Sequence, residues 1–409
     1  MGVEKVFVCE DNKIDLMENR TDLFLQEVRE CLTENILPYW LRLKDPRGGF
    51  YGEVAADGTV QYDAPRGVIL NARLIWTFAA AYKALGNSEY LVAAMHARDW
   101  FLEHFCDHKW GGVYWSVSAE GERQDTKKQL YAQGFAIYGL SELYKATKDD
   151  GALKEAINLY RVVETYFADA ENGGYVEALA RDFSPLEDMS LSAHDINADK
   201  TMNSHLHILE AYANLYKVWP DEELRGRIVA LLEMIGTRVM AHSGHLQLYF
   251  RRDWTVLPGG VSYGHDIETS WLAMECAFAT RDLDVVSRVR PWALAMGKAG
   301  NEGLFADGSM RYEKLPDGTY DDSRQWWVQA ETVVGNLWLW KFHGDAAAAD
   351  RALACWTYIR EHLVDTAAGE WWWSILPDGS PDLSQPKAGF WKCPYHNSRM
   401  CLQALSLFE

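Results

Sequence analysis

Along the chain, apolar residues recur at three- and four-residue spacing in paired stretches, which is typical of helices that bury one face or more. One member of a pair is mostly apolar, as in "PRGVILNARLIWTFAAAY" (65–82), and a companion such as "EYLVAAMHARDWFLEHF" (89–105) has a charged face. Six pairs fit within the chain. The pattern therefore predicts twelve helices, six of them inner and six outer.

A glycine-marked aromatic strand recurs between these helices, first as "RGGFYGEV" (47–54) and then as "WGGVYWSV" (110–117). The glycines that mark the six copies are 59 to 70 residues apart: Gly49, Gly112, Gly174, Gly244, Gly303 and Gly369. Turn signals such as "ADG" follow several strands and predict short hairpins. Six units without a polar capping repeat favour a closed ring over an open helical solenoid.

The predicted fold is all-α, an (α/α)6 barrel that forms one catalytic domain over residues 1–409, with short β-hairpins and long loops on one rim. Composition agrees with a large soluble core, since 48% of residues are hydrophobic and 24% are charged. The 40 basic and 59 acidic residues give a net charge of −19, which argues against nucleic acid or an anionic membrane as partner.

The N-terminal sequence and the cysteines both indicate a cytoplasmic protein. The N-terminus lacks the basic-then-apolar layout of a signal peptide, and Val6 breaks the myristoylation pattern, so we expect a cytoplasmic protein. No stretch approaches the eighteen or so uninterrupted apolar residues of a membrane helix. Seven cysteines without a CxxC motif, Cys9 among them, predict reduced thiols. The 18 Trp and 20 Tyr suit a sugar-binding cleft as well as a core.

In such a barrel the inner helices begin on one rim, so their first turns face a shared cleft. Core positions there should be Leu, Val or Ala, yet charged, amide, imidazole and indole groups gather at these helix starts. They are Arg66, Gln129, Tyr131, Gln133, Asn203, His207, His265, Glu268, Trp326, Trp327, Gln329, Glu331, Trp391, Tyr395, His396 and Asn397. This concentration of polar groups predicts a functional cleft.

Helical periodicity separates two neighbouring histidines. In "MNSHLHILEAY", Asn203, His207 and Glu210 share one face at i, i+4 and i+7, whereas His205 points away. We therefore predict that His207 belongs to the site and that His205 is structural.

The segment "SYGHDIE" places His265 and Glu268 one turn apart at a helix start. The carboxylate there would hold the imidazole in one tautomer or accept sugar hydroxyls, and Asp266 is predicted to cap the helix. The positive end of the helix dipole disfavours imidazolium, and a neutral imidazole is what a general base requires. His265 and His396, on the fourth and sixth inner helices, are thus a candidate acid/base pair.

No metal or other cofactor is predicted. His205 and His207 alternate as ligands on a strand would, but they lie on a helix, and no HExxH or CxxC motif is present. P-loop, GxGxxG and GxSxG fingerprints are also absent.

The chain resembles the N-acylglucosamine 2-epimerase superfamily and, within it, the cellobiose 2-epimerase group. The resemblance covers nearly the whole chain, and its most specific pieces are "APRGVILNARLIWTFAAAY", "MNSHLHILEAYANLYKVWP", "SYGHDIE", "QWWVQAE" and "FWKCPYHN". It implies an (α/α)6 barrel that inverts carbon 2 of the reducing-end glucose of β-1,4-linked disaccharides, converting cellobiose to glucosyl-mannose and lactose to epilactose. It also implies an enediolate, no metal requirement and slow aldose–ketose isomerisation as a side reaction.

Roles carried over from the resemblance fall on individual positions. His265 and His396 match the general acid/base pair, and His207 is the third histidine. The expected substrate-binding residues are Arg66 and Asn203 as polarising groups, Tyr114 and Glu268 as sugar contacts, Trp327 and Trp391 as platforms, and Asp195 in a loop over the cleft. Trp326 is a further candidate for stacking, because it lies at a helix mouth. Gln129 departs from the family, which often has histidine there.

Other functions remain open at this level. A monosaccharide isomerase or an N-acylglucosamine 2-epimerase of the same superfamily would share these motifs. A glycoside hydrolase would need two carboxylates about 5–10 Å apart, for which Glu268 and Glu331 are the candidates. A noncatalytic sugar-binding protein leaves the rim histidines unexplained. In every case the expected partner is a small sugar, and we expect a monomer or homodimer.

Overall fold

The computed structural model describes residues 19–192 and 195–408, and within these residues the chain forms twelve helices. Outer and inner helices alternate from the first. The outer helices are α1 (19–41), α3 (Ser88–His104), α5 (Asp150–Val162), α7 (Glu222–Met234), α9 (Leu283–Gly300) and α11 (Ala346–Tyr358). The inner helices are α2 (Val68–Leu85), α4 (Leu130–Thr147), α6 (Met202–Tyr216), α8 (Tyr263–Ala279), α10 (Trp326–His343) and α12 (Tyr395–Phe408).

The ring of inner helices is closed. Each inner helix packs against the next, and α12 packs back against α2. This confirms the predicted (α/α)6 barrel and excludes the open solenoid. The inner helices are buried on nearly all sides, whereas an outer helix such as α3 buries one stripe at helical spacing: Tyr90, Ala93, Ala94, Ala97, Trp100 and Phe101.

The two helix classes begin differently. Five outer helices start at an Asn or Asp whose side chain accepts a backbone N–H of the first turn, namely Asn87, Asp149, Asp221, Asp282 and Asp345. The inner helices α2, α4, α8 and α10 have no side-chain cap, and each follows directly from a short strand on the rim. Only α6 among the inner helices with a described N-cap is capped by a side chain, that of Thr201.

Within residues 19–192 and 195–408, fourteen strands of two or three residues pair antiparallel on this rim. They are β1 (Glu53–Val54), β2 (Val60–Gln61), β3 (Arg66–Gly67), β4 (Ser116–Val117), β5 (Arg123–Asp125), β6 (Lys128–Gln129), β7 (Ala178–Leu179), β8 (Lys200–Thr201), β9 (Tyr249–Phe250), β10 (Val261–Ser262), β11 (Glu313–Lys314), β12 (Tyr320–Asp321), β13 (Arg324–Gln325) and β14 (Ser374–Ile375). The strand that leads into an inner helix pairs with a strand of the following unit, as β3 does with β4 and β6 with β7. These pairs link successive units around the ring, and the predicted hairpins are confirmed.

Each unit also contains a tight loop closed by one antiparallel bridge. The six bridges are Lys44–Phe50, Cys106–Val113, Ala168–Tyr175, Met240–Leu246, Leu304–Met310 and Val364–Trp371. In five of these loops the glycine that marks the repeat has positive φ, namely Gly49, Gly112, Gly174, Gly244 and Gly369. In the fifth unit the positive φ falls on Gly308 rather than Gly303, because the bridge there closes around residues 305–309.

Helix α2 is long and apolar enough by length and composition to cross a membrane, but 78% of that segment is buried inside the protein, as suits an inner helix of the ring. The six cysteines among the described residues are free, and Cys9 lies outside those residues. A single domain over residues 1–409 stays a prediction.

Candidate active site

A cavity of about 480 Å³ opens at the rim where the inner helices begin. From the inner helices it is lined by Arg73, Tyr131, Asn203, His207, His265, Glu268, Trp326, Trp327 and His396. From the connecting segments it is lined by Leu191, Ser192, Asp195, Tyr312, Glu313, Asp321, Gln325, Trp373, Gln385 and Trp391. Nine of the sixteen residues predicted to face a shared cleft line this cavity. The other seven do not line it: Arg66, Gln129, Gln133, Gln329, Glu331, Tyr395 and Asn397.

The three cleft histidines share one arrangement. Nδ1 of His207 lies 2.9 Å from Glu210 Oε2, and Nδ1 of His396 lies 2.7 Å from Glu331 Oε1. Nδ1 of His265 lies 2.7 Å from Ser262 Oγ. No described residue hydrogen-bonds Nε2 of any of these rings. Each imidazole is therefore oriented through Nδ1 and presents Nε2 to the cavity.

All three imidazoles favour their neutral form. Burial lowers the pKa of His207 and His265, and burial together with the Arg73 and Arg399 charges lowers the pKa of His396 well below its usual range. The direction agrees with the prediction for His265, but its main cause is burial. A neutral imidazole with a free Nε2 has the form that a general base needs.

Beneath the histidines, Arg399 joins three buried carboxylates. Its Nη2 donates to Glu268 Oε1 and to Glu331 Oε1, both at 2.6 Å, and its Nη1 donates to Glu210. Burial and the neighbouring Glu331 raise the pKa of Glu268, although the Arg399 guanidinium opposes the shift. Oε2 of Glu268 has no hydrogen-bond partner in the described structure. The Glu268 carboxyl therefore favours its neutral form more than an exposed carboxyl does, and it lines the cavity.

The arrangement of Glu268, Glu331 and His396 resembles a metal site, because their ligand atoms lie within 4.8 Å of one another. However, Nη2 of Arg399 already occupies the space between the two carboxylates. A fixed guanidinium supplies the positive charge there and would repel a divalent cation. The donor set therefore does not fit a metal, although metal independence itself stays a prediction.

Two polar groups in the cavity can act on a carbonyl oxygen. Arg73, which is 3% exposed, reaches the cavity, and its Nη2 donates to Tyr131 Oη at 2.8 Å. The amide of Asn203 also lines the cavity, and its Oδ1 has no partner among the described residues. A buried guanidinium and an amide are suitable groups for stabilising negative charge that develops on oxygen.

Aromatic rings form one wall of the cleft. The ring of Trp327 lies 4.7 Å from that of His265 and 5.7 Å from that of His396, between centroids. Trp326 and Trp391 also line the cavity, and Trp391 is half-buried. This wall suits stacking against the apolar face of a sugar ring.

A loop, described at residues 180–192 and 195–199, borders the cavity through Leu191, Ser192 and Asp195. The carboxylate of Asp195 accepts from Ser192 Oγ at 2.6 Å and from Tyr249 Oη at 3.1 Å. Gln129 fastens the same loop by donating to the carbonyls of Met189 and Ser190. Gln129, where the family often has histidine, is thus fully buried and contacts the loop.

The structure corrects the prediction for Arg66, which does not line the cavity. Its side chain is fully buried and donates to Gly48 O and Asp45. Lys128 makes the same two contacts in the next unit, with Gly111 O and Asp107, and Lys200 makes them in the third, with Gly173 O and Asp169. Arg66 is therefore one copy of a repeated structural ion pair, and Arg73 is the arginine of the cleft.

The prediction that Tyr114 contacts the sugar is also not met by its position. It is 4% exposed, does not line the cavity, and its hydroxyl accepts from Arg181 Nη2 at 3.0 Å. Arg181 also pairs with Asp107, so Tyr114 helps to anchor the start of the loop over the cleft.

Two local predictions around His265 were wrong as well. Asp266 does not cap its helix; it accepts from the Leu246 backbone N–H at 2.8 Å and pairs with His245. Of the two roles open to Glu268, holding His265 is excluded, because its carboxyl bonds Arg399 and Ser262 contacts the imidazole; contact with sugar hydroxyls stays a prediction.

Sequence reasoning missed Arg73 and Arg399 and left Glu210 without a role. One signal was available, since each is a charged residue inside an otherwise apolar inner helix. Such a residue needs a buried partner. The identity of that partner could not be read, because it comes from another helix.

The chain matches the N-acylglucosamine 2-epimerase (GlcNAc 2-epimerase) family over residues 49–398, and it belongs to that family. It is therefore an enzyme of the epimerase and isomerase class. The cellobiose 2-epimerase of Bacteroides fragilis is 46% identical over 94% of this chain and 99% of its own length. The solved cellobiose 2-epimerase from Bacillus thermoamylovorans B4167 is 38% identical, with a TM-score of 0.90 over 94% of this chain and 99% of that one.

A more distant likeness concerns the fold alone. The α-mannanase BT2949 of Bacteroides thetaiotaomicron superposes with a TM-score of 0.62 at 14% identity, covering 94% of this chain and 95% of that one. The barrel thus occurs with different chemistry, and function has to be argued from the site.

Proposed function

We propose that this enzyme inverts carbon 2 of the reducing-end glucose of β-1,4-linked disaccharides, converting cellobiose to glucosyl-mannose and lactose to epilactose. The observation that carries the proposal is the set of cleft imidazoles held through Nδ1 with Nε2 open to one cavity. The two relatives named as cellobiose 2-epimerases support the substrate class. We also propose that the enzyme is cytoplasmic and that it is a monomer or a homodimer.

The chemistry begins with an open-chain aldose in the cavity. Nε2 of one neutral imidazole, on His265 or His396, takes the proton from carbon 2. The C–H electron pair becomes the C1–C2 double bond, and the carbonyl pair moves onto oxygen 1. Arg73 and Asn203 stabilise the resulting enediolate.

The second imidazole of the pair, in its protonated form, returns a proton to the opposite face of carbon 2 and leaves as a neutral ring. The double bond then reverts to the carbonyl, and the configuration at carbon 2 is inverted. Each acid/base residue of this kind typically contributes roughly 100- to 10,000-fold in rate. Return of the proton to carbon 1 instead gives the ketose as a slow side product.

His207 has a supporting part in this scheme. Its Nδ1 is fixed by Glu210, and Phe135 and Tyr131 pack on its ring at 4.8 and 5.1 Å between centroids. Its free Nε2 is available to a substrate hydroxyl. The Glu268 carboxyl is available to a second substrate hydroxyl, and the rings of Trp327 and Trp391 are platforms on which a sugar ring stacks.

Glycoside hydrolysis is less well supported by the geometry. Hydrolases place two carboxylates on either side of the bond, about 5–10 Å apart. Glu268 and Glu331 instead share one nitrogen of Arg399. The pair is therefore fixed as a unit and cannot flank a glycosidic oxygen.

The proposal is tested by incubating the purified protein separately with cellobiose, lactose, mannose and N-acetylglucosamine and separating the products by chromatography. Glucosyl-mannose from cellobiose and epilactose from lactose are expected. Turnover of mannose or N-acetylglucosamine alone would favour the monosaccharide enzymes of the family. Release of free glucose from cellobiose would favour the hydrolase.

A further inference from the structure

Ser262 occupies the N-cap position of the helix that carries His265, yet it does not cap that helix. Serine at this position normally accepts a hydrogen bond from a first-turn backbone N–H. Here the hydroxyl lies 2.7 Å from Nδ1 of His265, and the Ser262 side chain is buried. The hydroxyl is therefore used for the imidazole rather than for the helix.

The preceding inner helix provides an internal comparison. Thr201 occupies the equivalent N-cap of α6, and its hydroxyl accepts from the Ser204 backbone N–H at 3.1 Å. A hydroxyl at this rim position can thus cap its helix, and Ser262 is the member that does not. A residue that forgoes a favourable local bond for a side chain in the cleft is a candidate for a functional role.

We propose, on the basis of the proposed epimerase function, that Ser262 is a positioning residue for proton transfer by His265. Its hydroxyl oxygen accepts the Nδ1–H, which keeps the tautomer whose Nε2 lone pair faces the cavity. When Nε2 takes the proton from carbon 2, the Nδ1–H bond to Ser262 persists in the imidazolium. Trp327, packed on the ring, limits rotation of the imidazole.

The partner of His265 differs in charge from those of the other two cleft histidines. Glu210 and Glu331 are carboxyl groups, whereas Ser262 is neutral. A carboxylate would favour imidazolium more strongly than a hydroxyl does. Ser262 therefore orients His265 while leaving it a weakly basic, mostly neutral ring, which suits a group that must take up a proton and later release it.

The test compares S262A, S262T and T201A with wild type, using cellobiose turnover, melting temperature and 15N NMR of histidine-labelled protein. The His265 signals are assigned with H265N. S262A should lose about 10-fold in kcat with KM within two-fold, because the ring loses its tautomer preference rather than its contact with substrate. S262T restores the hydroxyl and should recover most of that loss.

T201A separates this role from a structural one. Loss of a cap and of its bond to Glu177 should lower the melting temperature of T201A more than that of S262A. S262A, in turn, should lose more kcat than T201A. The nitrogen shifts of His265 should report the Nδ1–H tautomer in wild type and a changed mixture in S262A.

Two results would overturn the inference. One is wild-type kcat in S262A together with unchanged His265 shifts. The other is a loss of kcat in S262A that accompanies a drop in melting temperature as large as that of T201A. Inactivity of the wild-type protein on cellobiose would instead contradict the proposed function, so the two failures are distinguishable.

Discussion

His205 and His207 lie two residues apart on one inner helix, and both are buried with a pKa below the ordinary value. Their hydrogen bonds differ. In His205 both ring nitrogens are used: Nδ1 donates to Thr201 O, and Nε2 accepts the Tyr175 N–H. In His207 only Nδ1 is bonded, to Glu210. Burial and pKa therefore do not distinguish these two histidines, whereas their hydrogen bonds do: only His207 has an unbonded ring nitrogen and lines the cavity.

The contact that His205 makes recurs in other units of the internal repeat. The fourth residue of an inner helix accepts the backbone N–H of the bridged loop before it in four units. These residues are Gln133, His205, Asp266 and Gln329. Three chemically different side chains thus make the same contact, which fastens each loop to its helix.

The largest effect should come from removing the free imidazoles. H265N and H396N are each expected to lower kcat by at least about 100-fold, since each removes one side of the proposed proton transfer. H205Q is the matched control, because glutamine makes the corresponding contact in two other units. It should turn over cellobiose within a few-fold of wild type. The distinction between His205 and the cleft histidines would be contradicted if H205Q were inactive while either H265N or H396N kept near-normal kcat.

The same distinction applies to two arginines. R73K should lower kcat/KM by roughly 100-fold, at the low end for loss of one oxyanion donor, because an ammonium group cannot reproduce the guanidinium geometry. R66K should fold and retain activity, because Lys128 and Lys200 hold the same position in neighbouring units. Steady-state kinetics on both variants decides the matter. Equal losses would mean that Arg66 contributes to the cleft.

Acid should reveal the structural histidine through stability. Burial lowers the pKa of His205 to about 4, so the unfolded chain binds more protons below its ordinary pKa near 6.5. Stability contributed by the neutral ring is present above pH 6.5 and lost as the pH falls toward 4. At pH 5 the loss from this residue is roughly 2 kcal/mol. H205Q should therefore lose less free energy of unfolding than wild type between pH 7.5 and 5, as measured by urea denaturation. An identical pH dependence would contradict the assignment.

The smallest effect is expected from metal removal. Arg399 supplies the positive charge between Glu268 and Glu331, so prolonged EDTA treatment and desalting should leave turnover unchanged. Activity that is lost and then restored by zinc, manganese or magnesium would show that the cluster holds an ion.

The fold could be predicted because its signals are local and repeated. Glycine positions and helical periodicity recur in every unit, although in the fifth the glycine with positive φ, Gly308, stands five residues after the repeat marker Gly303. The site was harder to predict because its contacts join distant parts of the chain. Glu331 and His396 are 65 residues apart, and Arg399 lies 131 from Glu268. Spacing within one helix suggested Glu268 as the partner of His265, but the hydroxyl just before the helix was nearer.

Carbon 2 itself provides the most direct test of the two-histidine account. Wild-type enzyme is incubated with cellobiose in heavy water, and the epimer product is analysed by NMR and mass spectrometry. If a cleft imidazole removes the proton and another returns one from an exchangeable site, the product should contain deuterium at carbon 2. H265N and H396N should form almost no epimer, and one of them is expected to exchange deuterium into unreacted cellobiose without inversion. Epimer that forms at the wild-type rate with no deuterium at carbon 2 would contradict proton transfer by His265 and His396.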